Sequence, residues 1–177
     1  MNDIRPSLHY GTYIEHARTI KLAADENNRA FYELVNKVPS EENRLKGLGL
    51  FRASLLMYAV SIELTLKAVG LYEERENIKS GKVETFNDFL KKIPGNGHEF
   101  IPIIDRYRID LEKEEREIIN HLQDYAVWAG RFPFPIKDGD IRKIESIEGA
   151  HGPSLSLEYV DRIDKFIEKQ VKRINSN

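Results

Sequence analysis

"FRASLLMYAVSIELTLKAVGLY", residues 51–72, decides how this chain folds. It is apolar almost all round, with charges only at Arg52, Glu63 and Lys67. A helix with no fully polar face belongs at the centre of a packed structure. Leu45, Leu48, Phe51, Leu55, Tyr58, Ile62, Leu66 and Val69 follow helical spacing, which predicts one long helix from Glu41 to Ile78. Pro39 ends whatever precedes it. Ser40 is the expected N-cap, with Glu41 and Glu42 in the first turn, where the helix dipole favours acids. Gly47, Gly49 and Gly70 lower the local propensity and admit close helix contacts.

Working outward, helical periodicity continues on both sides. A first helix is predicted over Tyr13–Lys37, with Ile14, Ala17, Ile20, Ala24, Phe31 and Leu34 facing inward and a polar middle, "DENNR", expected to bend or fray. After the turn "SGKVE", Thr85 caps a short helix, "FNDFLKKI". "PGNGHEF" reads as a loop. A short helix is then expected over Glu99–Arg108, with Pro102 in the first turn, and another helix over Leu111–Trp128. The stretch 130–156 is rich in Pro and Gly and reads as irregular. It admits two short strands around "IRKIES", with Phe132 and Phe134 pinning it to the body. Ser154 or Ser156 caps a last helix bearing Leu157, Val160, Ile163, Ile167, Val171 and Ile174 on one face. The expected fold is all-α: one domain over residues 1–177, an up-and-down bundle of four to five main helices.

A chain of 177 residues, 41% hydrophobic and 32% charged, can bury a core of its own. No apolar run approaches a bilayer span, and "MNDIRPSLHYG" lacks an apolar signal core, so a cytoplasmic protein away from membranes is expected. The absence of cysteine excludes disulfides, thiolate zinc sites and cysteine nucleophiles. The net charge of -2 lacks the basic excess of a dedicated nucleic-acid binder, so RNA binding would need a local patch or a surface shared between subunits. No Gly-rich phosphate loop or "HExxH" pattern is present, and no histidine spacing suggests a metal or cofactor.

Three features carry chemistry. Glu63 and Lys67 lie four apart on one face of an otherwise apolar helix, in the favourable order for a pair. Buried charges need partners. Either they form an internal ion pair fixing helix register, or they mark a polar pocket on which His98 and Arg131, both in loops, converge. Arg131, in the rigid run "WAGRFPFP", either stops a helix or anchors a phosphate or carboxylate. In "EEREIINHLQDY", residues 114–125, Arg116 and His121 have four residues between them. On a continuous helix they lie roughly 140° apart. His121 borders the apolar stripe, and Glu112, Glu114, Glu115 and Glu117 surround the pair with negative charge.

The combination of "SIELTLKAVGLYE" (61–73), "GHEF" (97–100) and "YAVWAGRFPFP" (125–135) resembles the HEPN-like helical-bundle proteins. Glu63, Leu64, Leu66, Lys67 and Ala68 match an "ELxLKA" helix. Gly97, His98 and Glu99 match a "GHxL" turn with Phe100 in the Leu position. Arg131, Phe132 and Pro133 match an "RYP"-type element with Phe for Tyr. The resemblance covers residues 50–135. It implies a helical bundle that often dimerises, in toxin–antitoxin, phage-defence or RNA-processing settings, with RNA, a nucleotide, an antitoxin or a nucleotidyltransferase as partner. Ribonucleases of this superfamily carry an Arg, four to six residues, then a His. Metal-free cleavage needs a base for the 2′-hydroxyl and a cation for the charged phosphorane. Those roles would fall to His121 and Arg116. Active members usually follow the Arg with Asn, Asp or His; Glu117 stands there in this chain. Other branches are non-catalytic and bind nucleotides or partners. Two functions are therefore carried forward: a dimeric binding or interaction module centred on Glu63, Lys67, His98 and Arg131, and a metal-independent endoribonuclease using Arg116 and His121.

Overall fold

A computed structural model describes residues 5–129 and 157–176. It contains seven α-helices: α1 (Tyr10–Val35), α2 (Glu41–Glu73), α3 (Arg75–Lys79), α4 (Phe86–Leu90), α5 (Phe100–Arg106), α6 (Lys113–Asp124) and α7 (Leu157–Asn175). A π-helical turn, Tyr125–Ala129, prolongs α6. No strand occurs among the described residues, and the fold is an all-α bundle. The expected strands around residues 141–146, the aromatic pair Phe132 and Phe134, and Arg131 lie outside the described residues.

The helix starts follow local chemistry. Ser40 Oγ accepts the Asn43 N–H at 3.1 Å and opens α2. Thr85 Oγ1 does the same for Asp88 N–H at 3.2 Å and opens α4. α6 starts at Lys113 rather than Leu111, because Glu112 and Glu115 form a reciprocal capping box in which Glu112 N–H donates to Glu115 Oε2 at 2.9 Å. Part of the acidic run thus serves the helix N-terminus.

Tertiary contacts override local spacing elsewhere. α2 ends at Glu73 instead of continuing to Ile78. The Glu74 carboxylate turns inward, accepts from Asn77 Nδ2 at 2.6 Å and faces Lys92 at 3.6 Å and Arg106 at 3.8 Å. That cluster breaks the helix and starts α3. In α1 the "DENNR" segment does not fray. Asp25 accepts from the Tyr58 hydroxyl at 2.8 Å, Asn27 donates to Ala23 O and Met57 S, and Asn28 is buried.

Residue pairs give the directions. α1 and α2 are antiparallel, with Ser61 Oγ donating to Ala17 O at 2.8 Å and Phe31 against Phe51. α7 runs with α2, since Asp164 meets Lys21 and Arg173 meets Glu73. α6 opposes α7, with His121 beside Tyr159 and Lys169 beside Asp110. The four long helices therefore alternate up and down. Leu55, Tyr58, Ile62 and Leu66 of α2 are fully buried among Phe89, Phe100, Ile103, Ile119, Leu122 and Phe166. Each large apolar side chain so buried contributes about 1.5–3 kcal/mol. Contrary to the expectation above, α2 is long and apolar enough, by length and composition, to cross a membrane, yet 72% of that stretch is buried inside the bundle.

Candidate functional site: an ion pair under the Gly97–His98 turn

Glu63 and Lys67 occupy successive turns of α2 in its buried half. Lys67 Nζ donates to Glu63 Oε1 at 2.5 Å, and His98 Nδ1 lies 3.2 Å from the same oxygen. The side chains of Glu63 and Lys67 are 14% and 10% exposed, whereas that of His98 is 60% exposed. The charges therefore lie beneath the surface and the imidazole forms their rim.

Gly97 makes this geometry attainable. Its φ of +79° is a conformation that L side chains rarely adopt. A Cβ there would stand 2.9 Å from Ile93 Cδ1 and 3.1 Å from Lys67 Cε. The loop backbone thus rests on the aliphatic stem of Lys67 and carries His98 over Glu63. Upstream, the short turn Pro94–Gly97 leads out of α4. Downstream, Phe100 N–H donates to Gln123 Oε1 at 2.6 Å, which ties the loop to α6. Arg131, which the sequence places with this group, lies outside the described residues.

The other pair does not assemble within the chain. Arg116 leaves α6 toward α5, with Nη2 3.6 Å from Asp105 Oδ1. His121 leaves it toward α7, where Nδ1 lies 2.7 Å from the Tyr159 hydroxyl and the ring meets Tyr125 and Tyr159 edge-on. Burial pushes the His121 pKa down to about 4. It is a neutral, hydrogen-bonded histidine at neutral pH.

A second polar network has little local signal in the sequence. Lys21 bridges Asp25 at 2.8 Å and Asp164, and Asp25 takes the Tyr58 hydroxyl. Burial alone would lower the Lys21 pKa, but hydrogen bonds to Asp164 and Asp25 outweigh it and the pKa is raised. Burial, reinforced by Asp25, raises that of Tyr58. The network ties α1, α2 and α7 together. The only local hint is Lys21 and Asp25 at four-residue spacing; Tyr58 and Asp164 are remote in sequence.

No protein-family model, curated protein or solved structure matches the chain. Among the described residues no group of three or more His, Asp or Glu side chains is placed to hold a metal ion. The Glu63–Lys67–His98 arrangement offers a protected ammonium, a carboxylate shared by two nitrogen groups, and an imidazole open to solvent. Of the three, His98 is the member a ligand can reach without breaking the Glu63–Lys67 pair.

Proposed function

We propose that this chain is a HEPN-like helical-bundle protein acting as a dimeric binding or interaction module, in a toxin–antitoxin or phage-defence setting. Its functional centre is Glu63, Lys67 and His98, with Arg131 assigned to the same centre from the sequence alone. The observation that carries the reading is the shared Glu63 oxygen, which holds a buried lysine and an exposed histidine at a turn whose positive φ suits glycine. The ligand class that suits the centre is a nucleotide or an RNA phosphate, since Lys67 and His98 are the groups that would pair with it. The ribonuclease reading is less favoured because Arg116 and His121 are engaged on different flanks of α6.

The test is an NMR titration of the protein with AMP, ADP and a short single-stranded RNA, following the histidine ring resonances. The expected result is a saturable shift of His98 with at least one of these ligands, absent in Lys67→Met, with His121 unmoved. His98 silent to all three would overturn the assignment of this centre.

A further inference from the structure

Glu74 caps the C-terminus of α2 and is 8% exposed. Its Oε2 accepts from Asn77 Nδ2 at 2.6 Å. Among the described residues its Oε1 accepts no hydrogen bond. Lys92 Nζ lies 3.6 Å from Oε2 and Arg106 Nη2 lies 3.8 Å from Oε1. Both are close enough to pair in charge but stand beyond hydrogen-bond reach. Both cations are also partly open to solvent, so they form the mouth of the cluster while the carboxylate forms its floor.

Tyr107 stands beside this group, with its hydroxyl buried and without a hydrogen-bond partner. Burial raises its pKa; the Arg106 guanidinium next to the hydroxyl opposes the rise and Glu74 adds to it. The phenol keeps its proton and is a donor. The residue is fixed from behind. Its ring packs where Gly70 has no Cβ, and its carbonyl accepts from Arg173 Nη2 at 2.8 Å. The cluster therefore holds a buried donor and a buried acceptor, both unused, with Arg106 between them. An occupant that completes both must offer an acceptor and a donor of its own.

Charge distinguishes an anion from a water molecule. Lys92 and Arg106 against Glu74 leave one positive charge over. The acids around the cluster are each matched: Glu73 by Arg173 at 2.8 Å, Glu76 by Lys79 at 2.9 Å, Asp88 by Lys91 at 3.1 Å and Asp105 by Arg116 at 3.6 Å. Lys82 and Glu84, both exposed, offset each other, while Arg75 over the Tyr72 ring and the exposed Arg108 add to the excess. Arginine and lysine at one mouth suit an oxyanion.

The geometry points to a site for hydrogen phosphate, whose oxygens accept from Arg106, Lys92 and the Tyr107 hydroxyl and whose P–OH donates to Glu74 Oε1. The floor carboxylate sets the specificity. Sulfate carries no proton at neutral pH, and a phosphomonoester has lost its last one above its second pKa of about 6. Either would set a bare oxygen against Glu74 and be disfavoured. This site is separate from the Glu63 centre, and the inference does not rest on the function proposed for that centre.

The experiment is equilibrium dialysis of the full chain against radiolabelled inorganic phosphate at about pH 7.5, where a phosphomonoester is unprotonated. Unlabelled phosphate, sulfate and AMP serve as competitors, and circular dichroism checks the fold of each variant. The expected result is saturable binding with a Kd at or below roughly 1 mM, with sulfate and AMP competing at least roughly tenfold less well than phosphate. Arg106→Gln should weaken binding about tenfold or more, and Tyr107→Phe about twofold to tenfold. Tyr107→Phe removes only an oxygen that no residue bonds, so it keeps the fold. Glu74→Gln, whose amide can donate, should let sulfate compete as well as phosphate. A folded wild-type chain with no saturable binding in that range overturns the inference. So does sulfate competing as well as phosphate against the wild type, or binding that keeps full strength in both Arg106→Gln and Tyr107→Phe.

Discussion

His121 Nδ1 and the Tyr159 hydroxyl lie 2.7 Å apart, joining the C-terminal half of α6 to the start of α7. Burial lowers the imidazole pKa from 6.5 to about 4. The unfolded chain therefore binds this proton at a higher pH than the folded one. The stabilising contribution is present above pH 6.5 and is lost as the pH falls toward about 4. Allowing for residual solvent access, the loss is on the order of 2 kcal/mol. Urea unfolding at neutral pH and near the lower limit should show His121→Phe losing less stability than wild type across that window, even though the variant is weaker at neutral pH. Parallel pH profiles would mean that the ring is not held neutral by burial.

The Glu63–Lys67 pair should behave as a buried pair. Lys67→Met leaves the Glu63 carboxylate under the loop with only His98 and should cost about 2–4 kcal/mol, whereas adding Glu63→Gln to it should recover much of that loss. Denaturant melts of the two single variants and the double variant measure the coupling. Additive effects would show the two charges to be independently solvated.

The glycines separate by what their missing Cβ would meet. At Gly97, Ala would have φ of +79° and a contact of 2.9 Å to Ile93, so Gly97→Ala should destabilise by about 1–3 kcal/mol and move the His98 resonance. At Gly70 a Cβ would stand 3.0 Å from both Phe89 and Tyr107. Overpacking there should outweigh the helix-propensity gain of about 1 kcal/mol. Gly49 has no atom within 4 Å of that position. Gly49→Ala should therefore stabilise α2 by about 0.5–1 kcal/mol. Thermal melts of the three variants should rank Gly49→Ala above wild type and the other two below it.

Much of this architecture is visible in local chemistry. The uninterrupted apolar run of α2, the Pro39–Ser40 start and the Thr85 cap are short-range signals, and the structure contains each of them. What misleads is remote. The break at Glu74 depends on Lys92 and Arg106. The continuity of α1 through Asn28 draws on Tyr58 and Met57 of α2. Leu45 and Leu48 keep the period of the buried stripe while lying outside the bundle, because periodicity records which face is apolar and not what covers it. At the candidate site, Glu63 and Lys67 announce themselves as charges in an apolar helix. The contact of His98 with Glu63 depends on the Gly97 turn, which spacing alone does not specify.

If the polar centre binds ligand and His121 is a structural histidine, the chain has no ribonuclease activity of its own. The most direct measurement is incubation of the purified chain with mixed-sequence RNA in EDTA, beside His121→Ala. The RNA should stay intact with both proteins. Cleavage by the wild type that disappears in His121→Ala would contradict it and make Arg116 and His121 the working pair.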